Sequence, residues 1–352
     1  MNRLLYIGDG EFGMTSEMRA RALSDLGWRV LPPRRPSLPA AWLAGKLESL
    51  FYKLRRPLDR GGDNRHILDR AGEVDVIWID KGNHIRPATL RAVRRLPTPP
   101  IVIGYSPDDM AARHNNSAWF IECLPLYDGF ITTKSYGVQE LSALGCRNVV
   151  FVDNAYDPLQ HRPILQGDGS PIPFETDVGF VGSYERDRAE MIEFLARAGI
   201  PITIRGNGWE SVAGRQIPGI TILPALYGTD YARAISATRI NLTFLRKMNR
   251  DLQTTRSIEI PACGGFMLAE RSDEHARLFR DKVEAVFFDQ PADLLEKTRF
   301  YLDHEAERAA IAAAGRTRCI ASDYSYAARL RAAIEALGFG DRIPSASPLV
   351  VS

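Results

Sequence analysis

Short apolar runs of strand length alternate with amphipathic stretches of helix length along the whole chain. Residues 4–7 form the first run, and the glycine-rich loop Gly8-Asp9-Gly10-Glu11-Phe12-Gly13 follows it. A helix capped by Thr15 or Ser16 then runs to Leu26 and stops at Gly27, ahead of a second apolar run at 28–31. Further strands are expected at 74–79, 101–105, 129–133 and 149–152, with helices at 87–95 and 135–144. Two glycines and two prolines within 164–174 read as a linker. After it the alternation restarts, with strands at 177–182, 202–205, 240–244, 266–269 and 286–288. Helices are expected at 186–198, 231–238, 257–262, 291–303, 305–320 and 324–337. Strands alternating with helices at this spacing specify an α/β fold with parallel sheets covered on both faces. Two series imply two domains, 1–165 and 174–321, with a C-terminal helix near 322–340 able to return to the first. Open sheets of this kind bind ligands beyond the carboxyl ends of their strands, so a cleft between the domains is the expected site.

Composition narrows the class. The 352 residues are 45% hydrophobic and 25% charged, enough apolar surface for two cores and unlike a disordered or fibrous chain. The first residues turn polar too soon for a signal peptide, and no apolar run reaches membrane-spanning length. Four scattered cysteines and six histidines show neither a disulfide framework nor metal-ligand spacing, so a reduced, cytoplasmic protein with no metal is expected. A net charge of +2 does not argue for nucleic acid. The charge is uneven, however: between Arg34 and Arg65 eight basic residues face three acids. Trp42, Leu43, Leu47, Leu50, Phe51 and Leu54 recur there near helical spacing. Such a segment either lies on an anionic membrane face or packs its apolar side inward and shapes a pocket, and the second reading is preferred.

Candidate chemistry concentrates in a few places. The loop Gly8 to Gly13, with Gly10 at its centre, offers backbone donors to an anion or serves as a tight turn. The acidic residue that a nicotinamide site needs after the second strand is missing. The densest stretch is 249–270, where Asp251, Thr254, Thr255 and Arg256 lead into a short helix carrying Glu259 and broken at Gly264-Gly265. A helix start there presents free amides to a phosphate, and an ionised Glu259 has oxygens for a ribose diol.

The 249–270 stretch resembles the signature of bacterial CgeB-like (spore-maturation-protein-like) glycosyltransferases, which have the GT-B fold of two Rossmann-like domains. The resemblance extends through Glu274-His275, 284–288 and 312–316, and into 79–82, 105–109 and 132–135. It implies that Glu259 holds the donor ribose and that Asp251, eight positions earlier, takes a place where related retaining enzymes carry a longer glutamate. It further implies that Arg186 and Arg188 clamp a diphosphate after the Gly182 turn, and that Gly206 and Trp209 lie below the nucleobase. Either arginine could equally be a solvated helix residue, and Trp209 a core residue. Asp108 and Asp109, following a strand end, are candidates to orient an acceptor hydroxyl or take its proton, or to form a turn. Lys81, His114 and Lys134 are further candidates on that side.

The resulting expectation is a metal-independent, cofactor-free hexosyltransferase. It would move sugar from a nucleoside-diphosphate donor, with retention, to a glycan, lipid-linked, protein or small-molecule acceptor. The basic segment 34–65 would provide any peripheral membrane contact. A nucleotide-sugar epimerase or hydrolase, and a non-catalytic sugar- or nucleotide-binding protein, are the competing readings.

Overall fold

The computed structural model describes residues 2–31 and 54–344. The chain divides into two compact units, the first formed by residues 1–153 and 326–352 and the second by Asn154–Ser325. The helix that the basic segment was expected to form falls almost wholly at 32–53, outside the described residues.

The first unit holds a six-stranded sheet in the order β2-β1-β3-β4-β5-β6. Its strands are β1 (Arg3–Ile7), β2 (Arg29–Leu31), β3 (Val76–Asp80), β4 (Ile101–Ser106), β5 (Gly129–Thr132) and β6 (Val149–Phe151). Every pairing is parallel. All five residues of β3 are buried, because helices cover both faces of a parallel sheet and the alternation of an exposed strand disappears. Leu5, Ile7, Ile77, Ile79, Val102 and Phe130 make the middle of this core. The helix Tyr326–Ala336 belongs to the same unit, and Asn148 Nδ2 donates to the Leu337 carbonyl at 3.0 Å. Gly129 is glycine for this approach, since a Cβ there would lie 2.7 Å from a Leu337 methyl.

The second unit repeats the plan with the order β12-β11-β10-β7-β8-β9, again all parallel. Its strands are β7 (Thr176–Val181), β8 (Ile202–Arg205), β9 (Ile220–Leu223), β10 (Thr238–Thr243), β11 (Met267–Glu270) and β12 (Val286–Phe288). Edge strand β9 was not anticipated; it is only half-buried, so it lacks the apolar run that marks the central strands. Thr238 opens β10 instead of ending the preceding helix, Gly228–Ser236. It pairs with Thr176, and its hydroxyl donates back to Ala234 at 2.7 Å.

The first stretch of the first unit runs to Asp153, twelve residues short of the expected 165. The next segment is held by the second unit: the Asn154 amide donates to Gln253 Oε1 at 3.0 Å and the Tyr156 amide to the Tyr324 carbonyl at 3.1 Å. Among the described residues no helix is long and apolar enough to cross a membrane.

Candidate functional site

In the second unit the chain leaves β7 toward β8 and leaves β10 toward β11, on opposite sides. The connections therefore part at the carboxyl ends of β7 and β10, which opens a crevice between them. A cavity of about 180 Å³ occupies this point, walled by Gly182, Ser183, Thr243, Phe244 and Thr254, with Arg188, Arg246 and Arg256 around it. Gly206 stands just behind it, where a Cβ would lie 1.9 Å from the Gly182 carbonyl oxygen, so no other residue fits.

Arg188 is the centre of this cavity. It sits in the first turn of the helix Arg186–Arg197 and is 6% exposed. Its guanidinium donates to the Ser183 carbonyl at 3.2 Å and the Phe244 carbonyl at 3.3 Å, while its Nε–H has no partner. The Thr243 hydroxyl in the same cavity is also buried without a partner. Burial, reinforced by Arg246 and Arg256 and opposed by Glu185 and Asp251, pulls the Arg188 pKa down to about 10. The two polar groups have no protein partner and the buried cation is undercompensated, so an anion with several oxygens suits all three.

The 249–255 loop gives this wall Thr254, and Arg256 follows it, while Asp251, Thr255 and Glu259 lie outside the cavity lining. Arg256 donates to the Val181 carbonyl at 3.2 Å and to Thr255 Oγ1 at 3.0 Å. Arg246 donates to Glu185 at 2.6 Å. Asp251, 7% exposed, accepts from Asn249 Nδ2 at 2.7 Å. Glu259 lies in the helix Arg256–Ala262, 4% exposed. Its Oε2 accepts from the Tyr231 hydroxyl at 2.9 Å, and His161 Nε2 stands 3.8 Å from Oε1. His161 Nδ1 accepts the Asp157 amide at 2.9 Å, which leaves the proton on Nε2, facing the carboxylate.

A buried chain fixes the entry to that helix. The Thr254 amide donates to Ser257 Oγ at 2.9 Å, Ser257 lies 2.6 Å from His275 Nε2, and His275 Nδ1 lies 2.7 Å from the Glu270 carbonyl. The polarity follows: Nδ1–H donates to the carbonyl and Nε2 accepts from the serine. Burial holds the His275 pKa down at about 4. The folded state thus binds this proton less readily than the unfolded chain. The neutral ring's contribution to stability is complete above the unfolded value of about 6.5 and is lost as pH falls toward 4. The pKa difference corresponds to about 3 kcal/mol. Melting at neutral pH and near pH 4.5 should show a loss of that order in wild type and a smaller loss in His275→Gln; equal losses would remove His275 as the cause.

Of the sequence candidates in this unit, Arg188, Thr254, Arg256 and Gly182 line one cavity, with Gly206 directly behind. Arg186 points outward, its side chain 83% exposed and paired with Glu190 one turn on, so it is a solvated helix residue. Trp209 is 1% exposed, packs edge-on against Phe180 and Tyr184 and donates its indole N–H to the Gly182 carbonyl at 2.9 Å. It is a core residue and has no face for a nucleobase. Arg246 was overlooked, though a basic residue just past a strand's carboxyl end at a switch point is a readable signal.

The first unit has its own switch point, between β1 and β3, and a cavity of about 990 Å³ lies there. Gly8, Gly10, Ser16, Arg19, Asp80 and Lys81 are among its walls. Asp80 accepts from Arg19 Nη2 at 2.5 Å, Tyr6 Oη at 2.8 Å and Trp78 Nε1 at 3.1 Å, and the Arg19 guanidinium lies 4.5 Å above the Tyr105 ring. This buried cluster was also overlooked. Asp108 pairs with Lys81 at 2.6 Å, and Lys81 holds a left-handed φ of 58°. Asp109 is 1% exposed and accepts the Ala112 amide at 3.2 Å; it builds a turn and is not placed to meet an acceptor. Lys134 is buried at 4% exposure, and His114 lines a different cavity. Asp59, Asp63 and His84 have ligand atoms within 4.8 Å of one another. Asp59 is occupied by the Asp63 and Asn64 amides at 2.8 and 2.9 Å, and Asp63 by His84 at 2.7 Å, which is the pattern of a helix cap.

Residues 186–335 match the model of the glycosyl transferase-like family. Among curated proteins no relative matches. The chain is similar in structure to a sucrose-phosphate synthase from Thermosynechococcus elongatus, at TM-score 0.64 and 14% identity over 97% of this chain and 98% of that one. It is similar to HepE of Anabaena, in complex with UDP, at TM-score 0.61 and 12% identity over 96% and 100%. TarM of S. aureus matches at TM-score 0.58 and 11% identity over 79% of this chain, which spans only 58% of TarM. At these identities the likeness concerns architecture, and that architecture is the GT-B fold, two Rossmann-like parallel-sheet units.

Proposed function

We propose that the chain is a CgeB-like glycosyltransferase that takes a hexose from a nucleoside-diphosphate donor, with retention, in the cytoplasm and without a metal ion. The observation that carries this reading is Arg188, a buried guanidinium with an unspent donor at the switch point of the second sheet. The glycosyl transferase-like match begins two residues before it and covers Glu259, and HepE, similar in fold, is described in complexes with UDP and UDP-glucose. In this reading Arg188 and Arg256 hold the diphosphate and Thr243 and Thr254 add hydroxyl donors. Glu259, oriented by Tyr231, accepts from the ribose diol. Asp251 lies close enough to Arg188 to act on its charge, and takes the sugar side.

As the bond from the anomeric carbon to the phosphate oxygen breaks, its electron pair leaves with the diphosphate. The guanidiniums already stand where that charge grows, so little reorganisation is needed and no metal is called for. The acceptor oxygen forms the new bond, and Asp108, held by Lys81, is the group proposed to receive its proton. The acceptor itself would be held by the first unit.

Calorimetry with UDP and UDP-glucose tests the donor half. Glu259→Ala should weaken UDP about tenfold or more, one charge-assisted hydrogen bond being worth about 1.5–3 kcal/mol. Unchanged affinity in a folded variant would remove Glu259 from the site. Loss of UDP-glucose with no acceptor present would turn the reading toward a hydrolase or an epimerase.

A further inference from the structure

A second cavity of the first unit, about 630 Å³, is lined among the described residues by Arg55, Arg113 and His114, with asparagines 83, 115 and 116 and no acid. Arg113 and His114 are exposed, and among the described residues neither makes an ion pair or a side-chain hydrogen bond. Arg55 is different again, because the fold holds it. Its carbonyl accepts the Ala118 amide at 2.7 Å, its guanidinium donates to Asn116 Oδ1, and its φ is +55°, uncommon for a residue with a side chain. Yet its Nε–H is buried and unpartnered.

The asparagines are themselves fixed. Asn116 Nδ2 donates to the Met110 carbonyl at 2.9 Å, Asn115 Nδ2 to the Asp109 carbonyl at 3.0 Å, and Asn83 Nδ2 to the Asn115 carbonyl at 2.8 Å. The wall is therefore rigid and polar, and among the described residues that line it no acid offsets its charged members. Like charges gathered around one concave space repel unless an anion joins them, and guanidinium forks match the oxygens of a phosphate.

We infer that this cavity is a binding site for an anionic phosphate group, held by Arg55, Arg113 and His114. Asn83 lines both this cavity and the larger one at the β1–β3 switch point, so the two spaces adjoin. The site does not depend on the proposed transfer. Joined to it, the site makes the acceptor a phosphate-bearing molecule whose anionic end lies at Arg55 while its hydroxyl reaches toward Asp108.

The test uses the full chain carrying Arg188→Gln, so that the basic cavity of the second unit does not report. Inorganic pyrophosphate titrated into it should bind saturably at one site. Adding Arg113→Gln should weaken that binding about tenfold, and adding Arg55→Gln about as much again. Arg113 is exposed and unbonded, so its replacement does not threaten the fold. Absence of saturable binding, or an affinity indifferent to both changes, would overturn the site. Sedimentation with phosphatidylglycerol vesicles, against phosphatidylcholine vesicles, identifies the source of the phosphate. Wild type pelleting while Arg113→Gln stays in solution would assign a lipid headgroup. Pyrophosphate binding without pelleting would assign a soluble phosphate ester. Since no nucleotide is used, a negative result here leaves the donor reading standing, and a failure of the donor reading leaves this one.

Discussion

Replacing Arg188 with glutamine should raise the dissociation constant of a nucleoside diphosphate by about ten- to a hundredfold, the worth of one or two charged hydrogen bonds. The same change should not lower the melting temperature of the free protein. These two outcomes are rarely paired, because truncating a buried, hydrogen-bonded residue ordinarily destabilises. Here the folded state holds the guanidinium with its pKa down at about 10, so the protonated form is disfavoured relative to the unfolded chain. At neutral pH the side chain stays charged in both states, and the pKa difference marks a penalty of about 3 kcal/mol. Glutamine removes that penalty and gives up two hydrogen bonds of 3.2 and 3.3 Å, worth about 1.5–3 kcal/mol each. Both bonds are longer than the usual length of about 2.9–3.0 Å, which puts them at the lower end of that range, and the balance then lies near zero. Calorimetric titration with UDP and a melt without ligand measure both halves. A variant that melts well below wild type, or that binds UDP as tightly, would mean that Arg188 is a structural residue.

The pairing of stability and binding also explains which parts of the site could be read from the sequence. Arg188, Thr254, Arg256 and Glu259 sit in or just before the first turn of a helix, and that local signal survives in one dimension. The two α/β series were legible for the same reason: buried parallel strands keep their apolar runs, as β3 does. What escaped depends on distance across the sheet. Tyr231 reaches Glu259 across 28 positions and Arg19 reaches Asp80 across 61, and nothing local marks either pair. Trp209 was misplaced because an aromatic beside Gly206 and Gly208 looks the same in sequence whether it faces a ligand or the core. The return of the amide at Asn154 to Gln253, 99 positions on, hid the true end of the first unit. Asp109 was legible as part of a Pro-Asp-Asp turn, and the turn is what it makes.

Asp80→Ala should lower the stability of the first unit by about 3–5 kcal/mol, the usual cost of leaving a buried charge without its partner. Arg19 is 3% exposed, and Asp80 is its carboxylate. Without it, the guanidinium would be left among the neutral Tyr105 and Tyr326 side chains, whose rings lie 4.5 and 6.0 Å away. The Tyr6 hydroxyl would lose its acceptor at Asp80 but retain the Ser16 carbonyl at 2.8 Å, and Trp78 Nε1 would be left unmet. For a unit of this size such a loss lowers the melting midpoint by roughly 6–20 °C. Scanning calorimetry should show the drop in the transition of the first unit while that of the second unit stays in place. Asp80→Asn, which keeps an acceptor oxygen and removes the charge, should fall between wild type and alanine. A midpoint equal to wild type in Asp80→Ala would mean that the Arg19 charge is met by water from the adjoining cavity. The geometry speaks against that, because the cluster packs against the glycine loop itself. A Cβ on Gly8 would lie 2.6 Å from Ser16 Oγ, 2.8 Å from the Tyr6 ring and 3.0 Å from the Asp80 Cβ. The ion pair and the loop therefore share one packed floor, and removing Asp80 should loosen the cavity wall together with the core beneath it.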